Sequence, residues 1–128
     1  MSRIVLDASA VLAILNGEEG AEKLTPRLLS NAIVSTVNLA EVQSKLVSWG
    51  LDPDDAWDAA TGPVRDSEPF TSEQARIAGD LVAKTRPLGL SLGDRACLAL
   101  GIALGAAVYT ADQSWKVLRL GVRIHLIR

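Results

Sequence analysis

Four acidic side chains each follow an apolar run or begin a helical pattern, where reactive groups collect in α/β proteins. They are Asp7, Glu41, Asp94 and Asp112. Carboxylates gathered at one place repel each other. Helix dipoles worth about 0.3–1 kcal/mol each cannot offset that repulsion, whereas a divalent cation can. Oxygen ligands without cysteine or histidine suit Mg²⁺ or Mn²⁺ rather than zinc, and a carboxylate-held cation pair suits in-line displacement at phosphorus.

Helix capping is the alternative explanation for each of these acids, since such residues are frequent in the first turns of helices. Glu41 would complete a cap with Asn38 or pair with Lys45 one turn later. Asp94 would complete the capping box Ser91-x-x-Asp94. Capping alone is expected where no core strand precedes the helix, as at Asp52, Asp54 and Asp55.

The elements that must position the four acids alternate between strands and helices. Apolar runs predict strands at residues 4–6, 33–35, 106–110 and 122–127, and an extended piece at 68–70. Helices are predicted at residues 8–15, 38–49, 53–65, 72–85, 92–104 and 112–118, with shorter pieces at 18–24 and near 26. No hairpin turn joins two strands. We therefore expect one α/β domain, residues 1–128, with a mostly parallel sheet covered by helices on both faces.

The carboxyl-end edge of this sheet is where the acids are expected to meet. Asp7, Glu41 and Asp112 fall there because each follows a strand. The helix of Asp94 leads into the strand at 106–110, and we expect its start at the opposite edge. Asp94 joins the others only if that helix lies across the sheet or follows a short strand of its own.

Composition sets limits on the class of protein. With 48% hydrophobic residues the chain can bury a core, and it has no apolar run long enough to cross a membrane. The one cysteine, Cys97, is expected to be a buried thiol in a reducing compartment, the cytoplasm. The net charge of −2 disfavours simple electrostatic capture of nucleic acid. Without the four candidate acids, however, 13 basic residues face 11 acidic ones.

Four motifs surround the acids and span almost the whole chain. They are Asp7-Ala8-Ser9-Ala10, Asn38-Leu39-Ala40-Glu41, Leu90-Ser91-Leu92-Gly93-Asp94-Arg95-Ala96-Cys97-Leu98-Ala99 and Tyr109-Thr110-Ala111-Asp112-x-x-Trp115. In this order they resemble PIN-domain ribonucleases, and most closely the VapC toxins of bacterial type II toxin–antitoxin pairs. The run Ser-Leu-Gly-Asp-Arg-Ala-Cys is the most specific part. Ala8 stands where relatives often carry Thr or Ser.

The resemblance implies a PIN-like three-layer sandwich in which the start of the Asp94 helix does reach the site. It implies that the four acids are catalytic and hold Mg²⁺, with Mn²⁺ as a substitute. Ser9 and Thr110 match supporting hydroxyls that orient ligands or waters. It further implies an endoribonuclease acting on RNA, transfer or ribosomal RNA above all. Such proteins have a VapB-like antitoxin as partner, commonly form a homodimer, and do not associate with membranes.

Several other residues have expected roles around this site. Arg95, Lys116 and Arg86 lie near the acids in sequence and are candidates for binding RNA phosphates, with a solvated surface as the alternative. Trp115 is expected to pack beneath the site, and we expect no catalytic role for His125. Trp49 and Trp57 are expected to pack the helical layer or to lie at an interface.

Three other functions remain to be weighed. A receiver-like phosphoacceptor would need an acid pair after the first strand and a lysine ending a late strand. Here Ala8 and Ser9 follow Asp7, and the last strand carries Arg123. A PIN-fold nuclease outside toxin–antitoxin biology and an inactive PIN-like binding module are the other two alternatives.

Overall fold

The computed structural model describes residues 2–128, which form a five-stranded sheet between two layers of helices. The sheet order is β3-β2-β1-β4-β5, and all neighbouring strands are parallel. The strands are β1 (Ile4–Leu6), β2 (Ala32–Ser35), β3 (Asp66–Glu68), β4 (Ala107–Thr110) and β5 (Ile124–Leu126). The predicted α/β class and three-layer sandwich are confirmed.

Helical segments lie between successive strands of the chain. They are α1 (Ala8–Asn16), α2 (Pro26–Leu29), α3 (Thr36–Ser48), α4 (Pro53–Thr61), α5 (Ser72–Thr85) and α6 (Leu92–Leu104). Short 3-10 helices form at Ala21–Lys23, Arg86–Leu88 and Gln113–Val117. Across residues 2–128, no helix is both long enough and apolar enough to cross a membrane.

The core is divided by the sheet because successive strand residues point to opposite faces. In β1, Ile4 and Leu6 pack with α1, α3 and α4, whereas Val5 packs with α6 and Trp115. All three β1 side chains are buried, which explains why this central strand is a continuous apolar run. Because β1 is fixed in the core, Asp7 at its carboxyl end has a fixed position.

The direction of α6 decides where Asp94 lies. Only two residues separate Leu104 at the end of α6 from Ala107 at the start of β4. Since β4 starts at the amino-end edge, α6 must end there, and its 13 residues span about 20 Å back to the carboxyl-end edge. The expectation from chain order that Asp94 starts at the opposite edge is wrong, because a helix leading into a parallel strand runs antiparallel to it.

Other boundaries differ from the prediction for local reasons. α3 begins at Thr36, capped by Ser35, whose Oγ accepts from the backbone N of Val37 at 3.2 Å. Asn38 is therefore not a helix cap. The extended piece predicted at 68–70 is β3 at residues 66–68, a largely polar edge strand. The helix predicted at 53–65 ends at Thr61, and residues 18–24 contain only one 3-10 turn.

Candidate active site

Asp7 forms the buried base of the site, with 3% of its surface exposed. Its Oδ1 accepts from the Ser9 hydroxyl at 2.7 Å and from the backbone N of Ala10 at 2.9 Å, which caps α1. Its Oδ2 accepts from the Thr110 hydroxyl at 2.6 Å. Burial raises the pKa of Asp7 to about 6, and the charge of Asp94 adds to that rise, whereas these three hydrogen bonds oppose it.

Ser9 and Thr110 connect Asp7 to the loop after β4. The Ser9 Oγ accepts from the backbone N of Ala111 at 2.9 Å and lies 3.3 Å from the Thr110 Oγ1. The Thr110 Oγ1 also accepts from the backbone N of Asp112 at 3.0 Å. Both predicted hydroxyls therefore lie beside the acid, and they join the ends of β1 and β4.

Glu41 and Asp94 face each other from α3 and α6. Each is partly buried. Burial is the main cause of the raised pKa of Glu41, and the charge of Asp94 raises it further. The hydrogen bond from Asn38 and the charge of Lys45 act in the opposite direction. The pKa of the buried Cys97 thiol is raised well above its usual value, first by burial and then by the charges of Asp7, Asp94 and Glu41. Asp94 thus lies close enough to Asp7 and to Glu41 for its charge to act on both, and all three carboxylates influence the Cys97 thiol.

Glu41 is held in place by a buried amide. Asn38, one turn earlier on α3, donates from Nδ2 to Glu41 Oε1 at 2.7 Å and to the backbone oxygen of Gly93 at 3.0 Å. This Gly93 contact joins α3 to the first turn of α6. Asn38 and Gly93 lie inside the motifs already quoted, but neither residue type indicates a site by itself.

Asp94 and Asp112 use one carboxylate oxygen each to cap their own helices. Asp94 Oδ2 accepts from the backbone N of Ser91 in a capping box. Asp112 is exposed, and its Oδ1 accepts from the backbone N of Ser114 at 2.9 Å and from the Ser114 hydroxyl at 2.7 Å. Both residues therefore cap their helices, as the alternative explanation expects. Capping leaves one oxygen of each carboxylate free at the sheet edge.

The donor set fits a hard divalent cation in chemistry. Within residues 2–128, Glu41, Asp94 and Asp112 each leave one carboxylate oxygen without a protein hydrogen bond. Every ligand atom available is oxygen, as Mg²⁺ and Mn²⁺ prefer. In this conformation, no three acidic, histidine or cysteine side chains of the described chain stand close enough to enclose a metal ion. The free oxygens of Glu41, Asp94 and Asp112, together with Asp7, are the atoms that would hold such a cation.

The three basic residues predicted to contact RNA differ in their surroundings. The Arg95 guanidinium turns to α5, where Nη1 donates to the backbone oxygen of Ala78 at 2.8 Å. Arg86 is exposed in the 3-10 helix after α5, and it lines one small cavity together with Arg95. Lys116 is exposed four residues after Asp112. Of the three, Lys116 is the one nearest in sequence to an acid whose side chain is open to solvent.

The remaining aromatic and imidazole side chains differ in their burial. Trp115 is fully buried in the α6 side of the core, as expected. His125 is exposed on β5 and stacks on Tyr109 with ring centroids 4.7 Å apart. Trp49 and Trp57 are each about half exposed, so neither is enclosed within the helical layer, and their place at an interface stays a prediction.

The family model of the PIN domain matches residues 4–119 of this sequence. The chain belongs to the PIN-domain family. The matched segment contains all four acids and both hydroxyls, so the resemblance seen in the motifs is confirmed at the level of the family. No curated protein matches the sequence.

Solved structures of toxin–antitoxin proteins share the PIN fold of this chain at low sequence identity. The DNA-bound VapBC complex of Salmonella typhimurium has a TM-score of 0.76 at 18% identity and covers 100% of both chains. A toxin–antitoxin complex from Klebsiella pneumoniae has a TM-score of 0.76 at 13% identity over 98% of each chain. VapC20 of Mycobacterium tuberculosis, a sarcin–ricin loop cleaving toxin, has a TM-score of 0.71 at 21% identity, over 94% of this chain and 98% of that one.

Proposed function

We propose that this PIN-domain protein is a divalent-cation-dependent endoribonuclease and the toxin of a type II toxin–antitoxin pair. The observation that carries the proposal is that acids from three separate elements lie near one another at one sheet edge. The Glu41 carboxylate lies against Gly93, the neighbour of Asp94, and the charge of Asp94 raises the pKa of both Asp7 and Glu41. Burying mutually repelling carboxylates costs free energy in the protein alone. A site for a cation accounts for that cost, and a fold without such a function does not.

Asp7, Glu41, Asp94 and Asp112 would hold Mg²⁺, with Mn²⁺ as a substitute. When bound there, a divalent cation supplies positive charge for hydrolysis of a phosphodiester, in which water adds to phosphorus and one ester P–O bond breaks. Ser9 and Thr110 fix both oxygens of Asp7 by hydrogen bonds, so this carboxylate keeps one orientation throughout. Glu41 and Asp94, on α3 and α6, would supply further carboxylate oxygens to the cation.

RNA is the proposed substrate, with transfer or ribosomal RNA as the expected targets. Among the solved structures with this fold is a toxin described as cleaving the sarcin–ricin loop. Lys116 is the basic residue best placed for a phosphate near the acids, because Arg95 already bonds within the protein. Arg86 is available to solvent and is proposed as a more distant contact.

The proposed protein partners are a VapB-like antitoxin and a second copy of this chain. Related structures are complexes with antitoxins. Apolar side chains near the α3–α4 turn support such contacts, since Trp49 is 54% and Trp57 44% exposed. The free, buried Cys97 agrees with a reducing compartment, and we place the protein in the cytoplasm.

The test is to incubate purified, partner-free protein with total RNA in Mg²⁺, in Mn²⁺ or in EDTA. Cleavage is expected with either cation and not in EDTA, and both Asp7→Ala and Asp94→Ala are expected to abolish it. Absence of cation-dependent cleavage, or cleavage unaffected by either substitution, would contradict the proposal. An inactive binding module would give the first of these results.

A further inference from the structure

Two residues outside the acidic set control where the Glu41 carboxylate lies. We infer that Asn38 positions Glu41 for cation binding by a double hydrogen bond, and that Gly93 is glycine because the carboxylate occupies the space of its missing side chain. The inference rests on the proposed cation site. It assigns to both residues a positioning role that acts through Glu41.

Asn38 joins the two helices that carry Glu41 and Asp94. It lies three residues before Glu41 and so on the same face of α3, which lets its amide reach the carboxylate. Its second hydrogen bond crosses 55 residues of sequence to the backbone of Gly93, next to Asp94. One buried amide therefore sets the separation of the two acids.

The burial of Asn38 supports a role beyond packing. The residue is 1% exposed, and its Oδ1 is buried without a hydrogen-bond partner within residues 2–128. A buried acceptor without a partner is unfavourable, and an apolar side chain of similar volume would avoid that penalty. Packing alone therefore does not explain an asparagine here, whereas local exceptions of this kind are expected at functional sites.

Gly93 has no conformational reason to be glycine. It is the second residue of α6, and it is not among the glycines with positive φ. In such a helical position glycine is less favourable than alanine. However, a Cβ at Gly93 would overlap the carboxyl carbon and both oxygens of Glu41. Because Gly93 has no side chain, the Glu41 carboxylate can lie directly against the start of α6.

Gly93→Ala should therefore affect cation binding without lowering the stability of the fold. The obstructing atoms belong to the end of a flexible side chain, which can turn away without disturbing the backbone. Helix α6 would gain the better helix former, while the carboxylate would be displaced from Asp94. Gly79→Ala is the matched control, because Gly79 is an exposed glycine within α5 whose added Cβ would meet nothing within 4 Å.

The experiment measures the affinity for Mn²⁺ alone by calorimetric titration, together with thermal unfolding in EDTA. Gly93→Ala is expected to keep the wild-type unfolding temperature or exceed it, and to bind Mn²⁺ about 10–100 times more weakly. Gly79→Ala should bind Mn²⁺ as the wild type does. Asn38→Leu, which keeps the volume of the side chain and removes the hydrogen bonds, should also remain folded and weaken Mn²⁺ binding.

A double variant tests whether Gly93 acts through Glu41. Once Glu41→Ala has removed the carboxylate, adding Gly93→Ala should weaken Mn²⁺ binding no further. Wild-type Mn²⁺ affinity in Gly93→Ala and Asn38→Leu, or additive losses in the double variant, would overturn the inference while leaving the proposed nuclease intact. Failure of the wild type to bind Mn²⁺ would overturn both, whereas Mn²⁺ binding without RNA cleavage would overturn only the nuclease.

Discussion

The Thr110 hydroxyl donates to Asp7 Oδ2 at 2.6 Å across 103 residues of sequence, and this bond ties the end of β4 to the end of β1. The same hydroxyl oxygen accepts from the backbone N of Asp112 at 3.0 Å. Thr110 is fully buried. One hydroxyl group therefore fixes the orientation of the innermost acid and the start of the loop that carries the outermost one.

Replacing Thr110 by valine keeps the shape of the side chain and removes its hydroxyl. Asp7 Oδ2 and the Asp112 N–H would both lose a partner, so we expect a loss of about 1–3 kcal/mol in unfolding free energy and at least about tenfold slower RNA cleavage. Urea unfolding and initial cleavage rates measure these effects. Thr110→Ser keeps the hydroxyl and should cleave RNA near the wild-type rate. Equal cleavage by the two variants would contradict the role assigned to this bond.

Asp7 predicts a dependence of stability on pH in the absence of cations. Because its pKa is raised from 3.8 to about 6, the folded state favours the neutral carboxyl. The contribution of Asp7 to the free energy of unfolding is therefore fully present below pH 4, and it is lost as the pH rises through about 6. Asp7→Asn should therefore be more stable than the wild type at pH 7.5 by up to about 3 kcal/mol, and this difference should shrink towards pH 4.

Urea unfolding in EDTA at several pH values measures this difference. Asp55→Asn is the control, since Asp55 is an exposed acid in the first turn of α4 and should change stability by no more than about 0.5 kcal/mol. A difference in unfolding free energy between Asp7→Asn and the wild type that stayed the same from pH 4 to pH 7.5 would contradict the raised pKa of Asp7.

Lys116 is expected to contact RNA through a phosphate rather than a base. Lys116→Gln should weaken RNA binding uniformly across sequences and reduce the slope of affinity against salt concentration by about one. Binding is best measured in an Asp94→Asn background, in which cleavage does not consume the RNA. Lys23→Gln, an exposed lysine of the 3-10 helix Ala21–Lys23, is the matched control. If the slope of affinity against salt concentration is the same for both variants, Lys116 does not contact an RNA phosphate.

The sheet and the positions of three of the acids after its strands could be predicted from sequence, because the signals for both are local. A buried central strand is a continuous apolar run. Asp7 directly follows β1, and Asp112 comes two residues after the end of β4. Glu41 was predicted in the first turn of its helix, but α3 starts at Thr36, so it lies in the second turn. There its carboxylate accepts a hydrogen bond from Asn38, which lies one turn earlier on α3.

Other features depend on contacts that local patterns do not encode. β3 is a polar edge strand, and without alternating apolar residues it shows only a weak strand signal. Arg95 follows Asp94 directly, yet its guanidinium packs against α5. The fit of Gly93 to Glu41 joins residues from two helices, and only the assembled fold brings them together.

We propose that the acidic edge of the sheet cleaves RNA with a bound cation. Initial rates of RNA cleavage in Mg²⁺ by Asp94→Asn and Asp55→Asn test it most directly, because both substitutions remove one negative charge from the first turn of a helix. Loss of a site acid should slow cleavage by at least about a hundredfold, since outer partners of metal ligands alone typically cost 10–100-fold. Asp55→Asn should cleave as the wild type does. Equal rates for the two variants would contradict the account.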